Sequence, residues 1–200
     1  MCSAAKNSAI NKPADLFGPR IAAPEGFNYS PDLLSPEQEW GFMRQFQALP
    51  FKPFDFHGHL GNRRIVSYGY GYDYGREALR PSEPMPGFLT PLSHIASRFS
   101  GIPADDLEQA LVTEYAPGAG IGWHRDKPMF ERVVALSFLA PCNLRLRRKA
   151  GDRWERRTVT IAPRSGYLLS GIVREEWEHS ILPMEQLRYS VTFRSFRRAG

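Results

Sequence analysis

The second half of this chain is a series of short β-forming runs separated by Pro and Gly, and this spacing constrains the fold more than any other feature. The residues 149–152, Lys-Ala-Gly-Asp, predict a hairpin turn between two arginine-bearing strands. Strands this short and this numerous predict an α+β, mainly β protein built as a sandwich or jelly roll. The candidate strands are 62–68, 110–115, 132–139, 143–148, 154–161, 166–170 and 187–196.

Two helices are predicted before this β-rich half, and we expect them to buttress one sheet. Ser35, followed by Pro36 and Gln38, is typical of a helix start with a capping box. The helix covers 36–48, and its apolar spacing predicts burial of Trp40, Met43 and Phe46. A second helix is predicted over 87–99, with the apolar stripe Leu89, Leu92, Ile95, Ala96 and Phe99.

The length and composition indicate one globular domain. Residues 1–25 lack periodicity and are expected to be a flexible lead-in, with a single domain over 26–200. Cys2 and Cys142 are too few for a disulfide framework, which favours a reducing, cytoplasmic location. The N-terminus has no apolar segment typical of a secretory signal, and no run approaches the roughly 18 apolar residues that span a bilayer, so no membrane contact is expected. We expect a monomer.

The positive charge is concentrated in one segment. The net charge is +5, and the segment 145–157 contains seven Lys or Arg against Asp152 and Glu155. A clustered basic surface is typical of proteins that bind polyanions. The alternative is a solvated face that only aids solubility.

Three side chains form a candidate metal site. His124 and Asp126 are two residues apart, which on an extended segment places them on the same face. His179 follows far enough along to return on another strand. Two histidines and one carboxylate are the facial triad that binds non-heme Fe(II) and leaves positions open for a co-substrate and O₂. Taken singly, these residues fit a surface His–Asp pair and a core histidine, whereas the set in this order favours the metal site.

A strand near the C-terminus carries two arginines. Over 188–194, alternation places Arg188, Ser190, Thr192 and Arg194 on one face and Tyr189, Val191 and Phe193 on the other. If the arginines face inward they must pair with anions, and the diacid 2-oxoglutarate fits this requirement. The alternative, arginines facing solvent, is allowed by the pattern alone.

With these motifs, the segment 111–118 (Leu-Val-Thr-Glu-Tyr-Ala-Pro-Gly) resembles the AlkB family of Fe(II)/2-oxoglutarate-dependent dioxygenases. The resemblance covers about 60–196 and implies a double-stranded β-helix, with its core at about 105–196 and a nucleotide-recognition lid at about 60–86. It implies Fe(II), 2-oxoglutarate and O₂ as cofactors. It implies roles for eight residues: His124, Asp126 and His179 as iron ligands and catalytic residues, and Tyr115, Thr113, Arg188, Ser190 and Arg194 around the co-substrate.

The sequence departs from the family pattern at three positions. Thr113 and Ser190 stand where many bacterial members have Asn, and both retain a hydroxyl that can form hydrogen bonds. Pro128 stands where the prototype members have an acidic residue that reads the damaged base. The resemblance therefore specifies the reaction better than the substrate.

The substrate contacts are expected in the lid and beside the ligand carboxylate. Tyrosines alternate with glycines over 67–74, and the candidate contacts are Tyr68, Tyr70, Tyr72, Tyr74, Arg125 and Lys127. The alternative is a hairpin whose tyrosines pack against the core. Trp123, Trp177, His57, His59 and His94 are expected to be packing or surface residues.

The expected function is oxidative demethylation of alkylated nucleic acid bases, DNA or RNA, of the DNA-repair type, with release of succinate, CO₂ and formaldehyde. Two alternatives remain open from the sequence. One is an RNA, tRNA or protein demethylase or hydroxylase of the same family. The other is a non-catalytic nucleic-acid-binding module.

Overall fold

The computed structural model describes residues 23–56, 59–73 and 78–198. In this part of the chain, two antiparallel sheets pack face to face, which confirms the predicted mainly β jelly roll. The strands are β1 (Phe27–Ser30), β2 (Lys52–Phe56), β3 (His59–Tyr68), β4 (Tyr70–Asp73), β5 (Ala78–Pro81), β6 (Gln109–Tyr115), β7 (Ile121–His124), β8 (Phe130–Leu139), β9 (Cys142–Ala150), β10 (Arg153–Ile161), β11 (Gly166–Leu169), β12 (Glu178–Ile181) and β13 (Arg188–Phe196).

The larger sheet has the strand order β1-β11-β8-β13-β6-β3-β2, and the smaller has the order β10-β9-β12-β7. Strands β4 and β5 form a separate two-stranded ribbon. Ala150 pairs with Arg153, so Gly151 and Asp152 form the tight turn, with Gly151 at φ +59°. This confirms the predicted hairpin. The seven predicted strands are all present, whereas the short strands β1, β2, β4, β5, β7 and β12 were not predicted as such.

The first helix, α1 (Pro36–Gln47), begins as predicted. The Ser35 Oγ accepts the Gln38 N–H, and the Gln38 Oε1 accepts the Ser35 N–H. The predicted burial is correct for Met43 and Phe46 but wrong for Trp40, which is 67% exposed. Glu39 occupies the buried stripe instead, because its carboxylate accepts the Leu139 N–H and an N–H of Arg164.

The second helix, α2 (Thr90–Ser100), follows a 3₁₀ turn at Gly87–Leu89 and ends at Gly101 in the left-handed conformation. Its predicted apolar stripe packs, with that of α1, on the outer face of the large sheet. The sheet contributes Tyr189, Val191 and Phe193 to this first core. The short helix α3 (Gly171–Glu176) precedes β12.

A second core lies between the two sheets. It joins Val133 and Ala135 of β8 to Leu144 and Leu146 of β9 and Ile161 of β10. At one end this core opens into a cavity of about 1110 Å³. Among the described residues, none of the helices has both the length and the apolar character needed to cross a membrane. The predicted lead-in lies almost entirely outside the described residues.

Candidate active site

Strand pairing brings the two predicted histidines together. His124 of β7 is directly opposite His179 of β12, and their ring centroids are 4.2 Å apart. The Asp126 Oδ2 lies 3.6 Å from the His179 Nε2. Gly120 permits the close approach of the two strands, since a Cβ there would lie 2.8 Å from the Ile181 carbonyl oxygen.

The charge states of this trio suit metal binding. The His124 Nδ1 must carry a proton, because its partner at 2.9 Å is the Gly122 carbonyl, so the Nε2 keeps its lone pair. Burial lowers the pKa of His124, against the opposing effect of Asp126. Burial and the neighbouring His124 lower the pKa of His179 to about 3. Both imidazoles are therefore neutral at pH 7, as metal ligation requires.

Asp126 is an ionised carboxylate. Burial raises its pKa, but the positive charge of Arg194 and the interactions with both histidines outweigh this and hold the pKa well below its usual range. The Arg194 Nε and Nη2 lie 2.9 and 2.8 Å from the Asp126 Oδ1, and its Nη1 donates to Gln109. Arg194 thus lies beside the trio, and it fixes one carboxylate oxygen while the other faces His179.

The donor set fits a metal, although its spacing is open. Among the residues that the structure describes, no three His, Cys, Asp or Glu side chains are spaced as a completed metal cage. Two neutral imidazoles and one carboxylate on one wall of the cavity are the donors of the non-heme iron facial triad.

Arg188 is the second notable group of the cavity. It is fully buried, and its Nε donates to the Ser137 Oγ at 3.2 Å. Its Nη1 and Nη2 have no hydrogen-bond partner among the described residues. Its guanidinium lies 5.1 Å from the centroid of the Tyr115 ring. A buried guanidinium with two open donors fits a carboxylate ligand.

The alternation along β13 places the arginines inward. The residues of this strand that line the cavity are Arg188, Ser190, Thr192 and Arg194. Thr113 pairs with Ser190, and Tyr115 pairs with Arg188, so both predicted hydroxyl residues of β6 also line the cavity. The alternative with solvent-facing arginines is therefore wrong.

The predicted tyrosine contacts are only partly placed at the cavity. Tyr72 lines it, and the Lys127 Nζ lies 4.2 Å from its ring centroid. The prediction for Tyr68 is corrected: Ser67 and Ile65 of β3 face the cavity, so period-two alternation turns Tyr68 into the helix-side core. Tyr70 packs edge-on against Phe196, with ring centroids 4.9 Å apart, and does not line the cavity. Tyr74 lies outside the described residues.

The other aromatic and histidine predictions have mixed outcomes. Trp177 is buried and His94 is exposed, as expected for packing and surface residues. Trp123 differs from the prediction, because it lines the cavity. His57 and the side chain of His59 lie outside the described residues.

Two arginines that no sequence motif singled out fix the loop 127–130 after Asp126. Arg174 of α3 is buried and donates to the Lys127 and Phe130 carbonyls. The Arg197 Nε donates to the Pro128 carbonyl at 2.9 Å, and its backbone N–H donates to the Met129 carbonyl. This loop, with Arg125 before it, forms one wall of the cavity.

The basic hairpin of β9 and β10 is partly neutralised. The Arg147 Nε donates to Glu178 at 2.6 Å, and the guanidinium lies between the rings of Trp123 and Trp154, 4.3 and 4.2 Å from their centroids. Arg148 pairs with Glu155 and Glu176. The net charge around the hairpin is therefore lower than the sequence count for 145–157 suggests. The hairpin adjoins the cavity through Trp123.

Comparison with known proteins identifies the class of enzyme to which this fold and site belong. Residues 30–194 match the 2OG-Fe(II) oxygenase superfamily, and the chain belongs to it. Enzymes of this superfamily use Fe(II), 2-oxoglutarate and O₂. Within the superfamily, the chain is similar to proteins with AlkB-type names.

Two curated relatives have AlkB-type names. The chain is 28% identical over 167 residues to the Arabidopsis thaliana protein named "Alkylated DNA repair protein ALKBH8 homolog", which covers 70% of this chain and 48% of that protein. It is 27% identical over 165 residues to the Xenopus tropicalis protein named "tRNA (carboxymethyluridine(34)-5-O)-methyltransferase alkbh8", covering 80% of this chain and 26% of that one. The chain thus spans half or less of these relatives.

Among solved structures, OsALKBH1 superposes with a TM-score of 0.66 at 14% identity, covering 87% of this chain and 98% of that one. A Pseudomonas putida prolyl-4-hydroxylase superposes with a TM-score of 0.59 at 15% identity, covering 87% and 94%. These likenesses show the shared fold.

Proposed function

We propose that this domain is an oxidative demethylase of alkylated nucleic acid bases. The observation that supports the co-substrate is Arg188, whose buried terminal nitrogens face the cavity without a partner among the described residues. His124, Asp126 and His179, which line the same cavity, would hold Fe(II). When bound, Fe(II) with 2-oxoglutarate and O₂ supplies the oxidation, which yields succinate and CO₂ and removes an N-methyl group as formaldehyde.

In this proposal the chain's residues bind and orient. Arg188 pairs with the distal carboxylate of 2-oxoglutarate, and the hydroxyls of Tyr115, Thr113 and Ser190 lie beside it on the same wall. Arg194 keeps Asp126 ionised and fixes the direction of its free oxygen. The apolar lining, including Leu111 and Val133, excludes water from the co-substrate.

Nucleic acid is the proposed partner because the cavity is wide and its rim is basic and aromatic. Tyr72, Trp123, Arg125 and Lys127 are among the residues that line it. The lid over about 60–86 and the single domain over 26–200 belong to the same proposal. DNA of the repair type is one substrate, and tRNA is a second candidate that the name of the frog relative favours.

The test measures methyl removal and succinate together. The protein is incubated with Fe(II), ascorbate and 2-oxoglutarate and with methylated DNA, RNA or protein, and the products are identified by mass spectrometry. We expect succinate release that depends on a methylated oligonucleotide. Asp126→Ala should abolish it, and Asp105→Ala, an exposed acid away from the cavity, should not.

Other outcomes of this experiment identify the alternatives. Oligonucleotide binding without succinate release would indicate a non-catalytic module. Turnover of a peptide alone would indicate a protein hydroxylase. Retained turnover in Asp126→Ala would contradict the proposed iron ligands.

A further inference from the structure

The smaller sheet turns one face away from the core, and β9 gives this outer face a row of cations. Leu144 and Leu146 of β9 are buried in the core between the sheets. Period-two alternation therefore places Arg145, Arg147 and Lys149 on the outer face. Successive cations are about 7 Å apart along the strand, and the row spans about 14 Å.

Two tryptophans lie between these cations. Four cation–ring contacts order the side chains into one stack: Arg145, Trp123, Arg147, Trp154 and Lys149. The distances from cation to ring centroid along this stack are 4.8, 4.3, 4.2 and 5.1 Å. A ring that covers the face of a guanidinium leaves its N–H edge able to bind an anion. The rings therefore hold the cations at fixed separations without neutralising them.

The positive charge of the outer face exceeds its negative charge. Glu178 pairs with Arg147 at 2.6 Å, whereas the Nε of Arg145 donates to a neutral group, the Ser180 hydroxyl. Arg156 of β10 is exposed and lies directly opposite Arg147 in the ladder. Like charges at opposite positions of a ladder are destabilising. A further anion beside this arginine pair would relieve the repulsion.

The outward strand positions of the described structure carry four cations and one acid. The cations are Arg145, Arg147, Lys149 and Arg156, and the acid is Glu178. In the hairpin turn, the charges of Asp152 and Arg153 cancel. This face is therefore complementary to a chain of regularly spaced negative charges.

Trp123 connects this face to the cavity. It lines the cavity, and its ring also contacts Arg145 and Arg147 of the outer face. Glu178 belongs to both surfaces as well. A polymer that places one unit in the cavity therefore reaches the row of cations directly beyond Trp123.

We infer that the outer face of the smaller sheet binds the sugar-phosphate backbone of the nucleic acid strand whose base enters the cavity. The inference rests on the proposed function for the identity of the partner, and it adds the surface that holds the nucleotides beside that base. Phosphates bind along β9 and replace the counterions of its cations. A phosphate between Arg147 and Arg156 supplies the anion that this pair requires.

The double variant Lys149→Gln/Arg156→Gln tests this surface, because both side chains are exposed and can be changed without disturbing the core. Binding of a fluorescein-labelled, unmethylated single-stranded DNA of about ten nucleotides is measured by anisotropy. The protein is loaded with Mn(II) and 2-oxoglutarate, and NaCl is varied from about 50 to about 200 mM. Each lost phosphate contact should reduce the slope of log affinity against log salt by about 0.7, so the double variant should lose about 1.4. Over this range the parent protein should then lose about sevenfold more affinity than the variant.

The matched control is Arg44→Gln/Arg98→Gln, which removes the same charge from exposed positions of α1 and α2. Its slope should equal that of the parent protein. An equal reduction in both double variants would assign the effect to net charge and overturn the inference, as would an unchanged slope in Lys149→Gln/Arg156→Gln. Arg156→Gln alone should not lower the melting temperature, since it removes a like-charge pair. A lowered value would show that Arg156 is already compensated and would also overturn the inference.

The remaining outcomes separate this surface from the proposed reaction. A slope reduced in Lys149→Gln/Arg156→Gln alone, with no succinate release from any methylated oligonucleotide, would support the surface and contradict the reaction. No binding of the DNA by the parent protein would overturn the inference, whatever the demethylation assay shows. Unlabelled polyglutamate of equal charge should compete poorly with the labelled DNA. Competition as effective as that of unlabelled DNA would assign the face to acidic proteins and overturn the choice of nucleic acid.

Discussion

Replacing Arg188 with Met should stabilise the fold while removing the co-substrate site. Arg188 is fully buried, and the contact of its Nε with Ser137 is the one hydrogen bond of its side chain within the described structure. Replacing buried charges by apolar side chains of similar volume is often stabilising by about 1–4 kcal/mol. Leaving the Ser137 hydroxyl without this partner costs about 1 kcal/mol. We therefore expect the free energy of unfolding of the metal-free protein to rise by up to about 3 kcal/mol.

Urea denaturation with and without 2-oxoglutarate measures both effects. In the parent protein, 2-oxoglutarate at a hundred times its dissociation constant should add about 2.7 kcal/mol. In Arg188→Met it should add nothing. Arg64→Met is the matched control, since Arg64 is an arginine of the same sheet that pairs with the buried Glu114. This control should lose about 1–2 kcal/mol, because Glu114 is left with Tyr189 as its donor, and should keep the response to 2-oxoglutarate.

Two results would refute this reasoning. If Arg188→Met is less stable than the parent protein in the absence of 2-oxoglutarate, the guanidinium is already compensated and is not held ready for a ligand. If the variant still gains stability from 2-oxoglutarate, the diacid binds elsewhere.

Three further predictions follow from the same structure. Asp126→Asn should abolish succinate formation and weaken the thermal stabilisation by Mn(II), measured by differential scanning fluorimetry, because the neutral amide is a poor ligand for a hard cation. Glu39→Gln should lower the free energy of unfolding, measured in urea, by about 1–3 kcal/mol without changing 2-oxoglutarate binding. The reason is that the Glu39 carboxylate accepts hydrogen bonds from the Leu139 N–H and from the Arg164 Nη1. The metal-free protein should lose stability as the pH falls from 6.5 towards 3: His179 has a pKa of about 3 in the fold, so the unfolded chain binds the proton first. The loss should be smaller in His179→Gln when unfolding is followed by circular dichroism across this range.

The parts of the fold that depend on local patterns could be predicted from the sequence. The capping box at Ser35 and the alternation along β13 each depend on neighbours in the chain, and both are present. The predicted burial of the α1 stripe is wrong at Trp40 because Glu39 is buried instead. Its partners Leu139 and Arg164 are 100 or more positions away in the sequence. A local pattern has no access to such partners.

The candidate site divides in the same way. His124, Asp126 and His179 meet as the motif predicts, and Arg188 lines the same cavity. Arg174 and Arg197 were not predicted because they donate hydrogen bonds to backbone carbonyls. Every residue has such a carbonyl, so no residue type in the sequence indicates their partners. Tyr68 was assigned to the wrong face because the alternation of β3 shows which residues share a face and leaves open which face is inward.

The strand that carries His124 is the outermost of its sheet. β7 has four residues and, among the described strands, pairs with β12 alone, at His179 and Ile181, with an irregularity between them. An edge strand with so few ladder bonds belongs to the part of a fold that opens at low free energy while the rest stays closed. A metal ion bound between His124 and His179 would hold β7 against β12. The ion can then bind and dissociate when β7 separates locally from β12. Hydrogen exchange at the β7 amides would measure this separation with and without the ion.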